Sequence, residues 1–244
     1  MTDGLNRKIL VVAAHPDDEI LGCGGTMALH SQRGNEVYVM ILGEGVTSRD
    51  EARDREGREK EIADLKCQVE AANKIVGTKK TFLFDFPDNR FDSVPLLDII
   101  KVVEKVKRDI EPDIVYTHHR GDLNIDHRIT FNAVMTAFRP LKGERAKEIY
   151  SFEVPSSTEW SLGKDEYFIP NRFVDIKDTL ERKIDAMRAY SGEVREFPHP
   201  RSEAAIEALA RVRGTIVGME RAEAYEIIRI VECAYFWLCK DIYQ

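Results

Sequence analysis

His15, Asp17, Asp18 and Glu19 stand at the end of an apolar run, in the stretch KILVVAAHPDDEILGCGG. Imidazole and carboxylate are metal-binding side chains, and their place matters as much as their type. The turn beyond the carboxyl end of a buried parallel strand is where open α/β folds put their ligands. A second cluster, His118-His119-Arg120-Gly121-Asp122-Leu123-Asn124-Ile125-Asp126-His127, follows another apolar run, DIVYT. Each cluster alone has an ordinary explanation. The acids at 17–19 suit a helix N-terminus, and Asp126 suits the cap of the helix RITFNAVMTAF. Capping leaves His15 unexplained, and the two clusters together point to a metal-dependent enzyme.

Zinc takes imidazole and carboxylate ligands, and a catalytic zinc has three protein ligands with a position left for water, so His15, Asp18 and His127 suffice. Asp17 then serves as general base. Zinc lowers the pKa of a bound water toward neutrality, and an adjacent carboxylate can take its proton as it attacks a carbonyl carbon. The reaction implied is hydrolysis of an amide or ester. Sequence order alone leaves open which of Asp17 and Asp18 is the ligand and which the base.

On these residues the chain resembles the zinc-dependent deacetylases called PIG-L or LmbE-like, which remove the acetyl group from N-acetylated amino sugars. The resemblance is carried by His15-Pro16-Asp17-Asp18-Glu19, by Leu21-Gly22-Cys23-Gly24-Gly25-Thr26 and by Asp126-His127. The strand and helix rhythm follows the family through about residue 140. The resemblance implies zinc on His15, Asp18 and His127, Asp17 as general base, and a substrate that is an N-acetylated amino sugar, free, glycosidic or nucleotide-linked. Members of this kind serve cell-surface polysaccharide and other glycoconjugate synthesis. One position departs. Several members carry a second histidine three residues before the last ligand, and here that residue is Asn124. His118 is the replacement general acid expected from its place just past the strand, with Asp122 or Asp126 orienting it, so the catalytic set is Asp17, His118 and Asp126. His119 is expected to point to the other side, as neighbours on a strand do.

The elements that must position these groups alternate. KILVVAA, EVYVMIL, KTFLFDF and DIVYTHH read as strands, separated by helical stretches from about Glu19 to Arg33, Asp50 to Val76 and Val94 to Asp109. This predicts an α/β fold with a doubly wound, mostly parallel, Rossmann-like sheet and helices on both faces. In such a sheet the first and fourth strands are neighbours at the switch point, which would bring the His15 and His127 turns together. Past residue 148 come EIYSFEVPSSTEW, a strand RFVDI, and three helices, DTLERKIDAMRAY, SEAAIEALARVRG and AEAYEIIRIV. No Gly/Ser-rich or Pro-rich linker intervenes. The expectation is one domain over 1–244, with a core over 1–148 and an extension over 149–244 that forms a wall of the pocket. Residues 45 to 61 hold a dense mixed-charge run, read as a solvated helix with i,i+4 ion pairs.

Composition agrees. The 244 residues carry a net charge of −7, which excludes a general nucleic-acid binder. No stretch has the length of a membrane span, and the opening residues lack a signal-peptide pattern, so a cytoplasmic protein without a membrane partner is expected. Association into homo-oligomers is compatible with this reading. Cys23, Cys67, Cys233 and Cys239 form no Cys-x-x-Cys pair, so no structural zinc site or redox motif is expected of them, and most are expected to be small core residues.

Substrate contacts are expected from loops at the same end: Asn89 and Arg90 after the third strand, Asp122 and Asn124 in the second cluster, and His199 and Arg201 in Phe197-Pro198-His199-Pro200-Arg201. Ser156-Ser157-Thr158-Glu159-Trp160 offers hydroxyls and an aromatic face to a sugar. With Arg211 and Arg213, the arginines among these could meet a phosphate on the substrate. Two other classes remain in competition. LGCGG after a first strand resembles an NAD-binding turn and so an oxidoreductase, although the full G-x-G-x-x-G spacing is missing. A non-catalytic regulatory module holding magnesium on paired acids is the other, disfavoured by the two histidines.

Overall fold

The computed structural model describes residues 6–49, 53–163 and 167–232. The elements in chain order are β1 (Lys8–Ala13), α1 (Asp18–Gln32), β2 (Glu36–Gly43), α2 (Glu59–Val76), β3 (Lys80–Phe86), α3 (Leu96–Ile110), β4 (Ile114–His118), α4 (Ile125–Ala137), β5 (Glu148–Phe152), β6 (Arg172–Asp175), α5 (Leu180–Ala189), α6 (Glu203–Thr215) and β7 (Ala222–Ile230). The strands form one sheet in the order β3-β2-β1-β4-β5-β7-β6. The first five run parallel, and β7 lies antiparallel between β5 and β6. β1 pairs with both β2 and β4, so the order reverses between β1 and β4, and the turns after those two strands open side by side.

The apolar run of β1 is continuous because both faces are covered. Ile9, Val11 and Ala13 enter a core shared with α1, α2 and α5, whereas Leu10, Val12 and Ala14 enter a second core shared with α3 and α4. The expected doubly wound α/β arrangement follows from this alternation.

Two expected helices differ. Of residues 222–231, read as a third C-terminal helix from AEAYEIIRIV, Ala222–Ile230 form β7 instead. Ala and Glu favour helix locally, but both β5 and β6 offer unpaired backbone, and pairing with both outweighs that preference. The helix expected from residue 50 begins at Glu59. Ahead of it, the Arg53 guanidinium donates to both carboxylate oxygens of buried Glu44, at 2.7 and 2.9 Å, and Gly57 N–H donates to Asp54. These contacts hold that part of the charged run in turns; residues 50–52 lie outside the described residues, as do Cys233 and Cys239.

The glycines of LGCGG lie inside α1, not in a phosphate-binding turn. A Cβ on Gly22 would come within 2.3 Å of the Phe152 ring, and one on Gly25 within 2.8 Å of Ile176. They let α1 press against β5 and the segment before α5. With Asp18 and Glu19 in its first turn, the helix N-terminus repels phosphate, which removes the NAD-binding reading.

Candidate metal centre

His15 comes from the turn after β1, Asp18 from the first residue of α1, and His127 from the first turn of α4, which follows the loop after β4. Their ligand atoms lie within 4.8 Å of one another. Asp18 Oδ2 is the shared point, 3.4 Å from His15 Nδ1 and 3.2 Å from His127 Nε2. The His15 backbone N–H also donates to this oxygen at 2.9 Å, which fixes the carboxylate.

Each histidine has a carboxylate behind it. His15 Nε2 donates to Asp126 Oδ2 at 2.9 Å and lies 3.3 Å from Asp88 Oδ1. His127 Nδ1 lies 3.1 Å from Asp122 Oδ1. Carboxylates so placed orient ligand imidazoles and leave the opposite ring nitrogens for an ion. A second grouping, His15 with Asp88 and Asp126, shares the same imidazole; Asp126 in it is already engaged by His15 and by the Phe91 N–H, so it reads as support.

Charge balance agrees with a cation. Burial works against charge on His127, but Asp18 and Asp122 outweigh it and raise its pKa to about 9. At His15 burial is likewise outweighed, by Asp126 and Asp18, and the pKa lies well above the usual value. Burial alone would push Asp18 up; His127 and His15 hold it well below the normal carboxylate range. A ring of buried carboxylates that favours positive charge at two imidazoles is a field suited to a divalent ion. The donor set of two nitrogens and one oxygen fits zinc better than magnesium.

Asp17 is buried beside the cluster and has a left-handed backbone, φ 96°. Its carbonyl accepts from the N–H groups of Ile20 and Leu21, and its own N–H donates to Glu19 Oε2. Glu19 is in turn held by Tyr190 Oη and Asn73 Nδ2, at 2.5 and 2.9 Å. Burial, more than any neighbouring charge, raises the pKa of Asp17; Arg201 opposes the rise.

Several expected roles change. Asp122 is fully buried and accepts from the hydroxyls of Ser157 and Thr158 and from the Asn124 N–H, so it positions His127 and does not meet substrate. Asp126, fully buried, positions His15; the cap of α4 is Asn124, whose Oδ1 accepts the Asp126 N–H. His118 is also fully buried. Its Nε2 accepts the Ala14 N–H at 2.8 Å, and its ring stacks on His127 with centroids 3.9 Å apart. Burial and the neighbouring His127 push its pKa well below normal, so it is a neutral acceptor and not the expected general acid. His119 points away, toward Glu226 at 2.8 Å.

Asn124 Nδ2 donates to Asn89 Oδ1 at 2.8 Å, linking the two loops, with Asn89 in a left-handed turn beside Arg90. His199 accepts the Arg201 N–H and packs edge-on to Trp160. Three of the arginines expected to meet a phosphate are each paired with carboxylates. Arg201 pairs with Asp17 and Glu193, Arg211 with Glu207, and Arg213 with Glu153. Asp88 had no assigned role, although it follows β3 as His15 follows β1; strand-end position was the available signal. Ser157 and Thr158, whose hydroxyls were expected to meet a sugar, instead donate to Asp122, and neither that support nor the hold of Tyr190 on Glu19 had a signal, because the partners are distant in sequence.

The PIG-L model, described as GlcNAc-PI de-N-acetylase, matches residues 10–138. The chain is 30% identical to the uncharacterized deacetylase YaiS of Escherichia coli, over 70% of this chain and 83% of that protein. It is 26% identical to the diacetylchitobiose deacetylase of Thermococcus kodakarensis, over 96% of this chain and 86% of the relative. A third relative, 28% identical over 77% of this chain and 74% of its own length, is the 4-oxalmesaconate hydratase of Pseudomonas putida. Among solved structures, N,N'-diacetylchitobiose deacetylase from Pyrococcus horikoshii superposes with a TM-score of 0.73 at 22% identity, covering 91% of this chain and 84% of that one. The paired histidine and aspartate turns, the sheet that brings them together and the matched span agree: this chain belongs to the PIG-L family of de-N-acetylases.

Proposed function

We propose that the protein is a zinc-dependent hydrolase that removes the acetyl group from an N-acetylated amino sugar, free, glycosidic or nucleotide-linked, in glycoconjugate synthesis. The observation that carries this reading is the convergence of His15 Nδ1, Asp18 Oδ2 and His127 Nε2 next to the buried carboxylate of Asp17. The deacetylase relatives support the acetyl group and the sugar. A cytoplasmic setting suits the free thiols Cys23 and Cys67.

His15, Asp18 and His127 would hold the ion, with Asp126 and Asp122 fixing the two rings. A zinc ion in that place supplies positive charge that acidifies water and polarises the amide carbonyl. Asp17 takes the proton as the water oxygen bonds to the carbonyl carbon. The C–N bond then breaks, and Asp17 returns the proton to the departing amine, leaving acetate and a free amino sugar. This gives Asp17 both proton steps, since His118 is held neutral and buried. In this reading the part of the chain after residue 148 completes the site as one domain with the core: Ser157 and Thr158 hold Asp122, and Arg201 holds Asp17.

The test is acetate release from a panel of N-acetylhexosamines and their nucleotide-diphosphate forms with zinc present. Release that chelation abolishes is the expected result. The hydratase relative supplies the control: water addition to 4-oxalmesaconate, without acetate release from any sugar, would turn the reading to a hydratase.

A further inference from the structure

We propose that Arg201 is a positioning residue that aims the carboxylate of Asp17, not an anchor for a substrate phosphate. The inference rests on Asp17 as the proton acceptor of the reaction. Arg201 lies between α5 and α6, far along the chain from the metal cluster, yet its Nη1 donates to Asp17 Oδ2 at 2.7 Å. The same guanidinium is held from two other directions, by Ser156 Oγ on Nε at 2.7 Å and by Glu193 Oε2 on Nη1 at 3.0 Å. The Arg201 backbone is tied as well, its N–H donating to His199 Nδ1 and the next residue, Ser202, capping α6.

This arrangement does what a general base requires. A carboxylate rotates about its Cβ–Cγ bond, and proton transfer works only from a narrow range of positions. The backbone at Asp17 is already restricted by its left-handed conformation and three hydrogen bonds. Arg201 adds the one constraint those cannot supply, on the carboxylate itself. With Oδ2 held, Oδ1 is the oxygen that turns toward the reacting water.

Local charge argues against phosphate. Arg201 contributes one positive charge, while Asp17 and Glu193, both in direct contact, bring two carboxylates. A phosphate would have to displace them and would meet their repulsion. A geometric role predicts that loss of Arg201 acts on the chemical step; substrate anchoring predicts that it acts on binding.

Holoenzyme with Arg201→Gln, Arg201→Lys and Ser156→Ala should be compared with wild type for zinc content, kcat and KM, using the best substrate found. The expected result is normal zinc and near-normal KM, with kcat about 10- to 100-fold lower for Arg201→Gln, partly recovered in Arg201→Lys. Ser156→Ala, which loosens the guanidinium without removing it, should lower kcat less; it keeps the question answerable if Arg201→Gln does not fold. In an Asp17→Asn background the Arg201 substitutions should cost nothing further. A raised KM with unchanged kcat, or the full Arg201 effect persisting on Asp17→Asn, would overturn the proposal. Full activity of Asp17→Asn alone would instead overturn Asp17 as the base, a separate failure.

Discussion

Oδ2 of Asp126 lies 2.9 Å from Nε2 of His15, on the ring edge opposite Nδ1, which faces Asp18 at 3.4 Å. Asp126 also accepts the Phe91 N–H, so its carboxylate is clamped while it clamps the imidazole. Removing it should weaken metal binding without touching a ligand. Asp126→Ala is expected to raise the zinc Kd about 10- to 100-fold, measured by competition with a chromophoric chelator. An unchanged Kd would show that His15 needs no such support.

The paired acids separate by metal content. Asp18→Ala removes a ligand and should lose zinc together with activity. Asp17→Asn keeps the ligands but cannot take a proton, so kcat should fall about 10²- to 10⁴-fold while metal analysis gives a wild-type value. Zinc loss in the Asp17 variant would mean that the two roles are exchanged.

His118→Ala should act on stability. It leaves the Ala14 N–H without its acceptor and opens a cavity beside His127 and Phe152, at a cost of about 2–5 kcal/mol in urea unfolding. The alkaline limb of the pH–rate profile should persist. Its disappearance in a variant of undiminished stability would restore His118 as the general acid.

His30, at the far end of α1, gives a pH dependence independent of the metal. Burial and the charges of Arg172 and Arg7 lower its pKa to about 3. The unfolded chain, with an ordinary value near ~6.5, therefore binds more protons below that pH, and stability falls as pH falls through it, by up to ~1.4 kcal/mol per unit. Urea unfolding at about pH 7 and about pH 5, with chelator in both, should give a steeper loss for wild type than for His30→Gln. Parallel slopes would place the proton uptake elsewhere.

Gly22→Ala tests whether LGCGG is there for packing. An alanine gains about 1 kcal/mol of helix propensity over glycine. Its methyl would sit 2.3 Å from the Phe152 ring, and such overpacking costs about 1–3 kcal/mol. A net drop in Tm is expected; a rise would mean that α1 can lift from the sheet at no cost.

The alternation of strands and helices was legible because each parallel strand buried on both faces must be apolar throughout, as KILVVAA is. The usual order of such a sheet then sets the first and fourth strands side by side, as they are here, and the residue types at their ends marked His15, Asp17, Asp18 and His127 as candidates without separating ligand from base between the two acids. The C-terminal half was less legible: Ala222–Ile230 has a helical composition, and only the unpaired backbone of β5 and β6 makes it a strand. The same limit applies to the polar groups. Asp122, Asp126, His118 and Arg201 carry side chains that suit catalysis or substrate binding equally well. Whether each meets water, an imidazole or another carboxylate depends on partners up to 184 residues away, the separation of Arg201 from Asp17. A side chain's chemistry is local, but its role is set by what it faces, and that was decided only when the sheet assembled and β5, α5 and the turn before α6 were laid against the first motif.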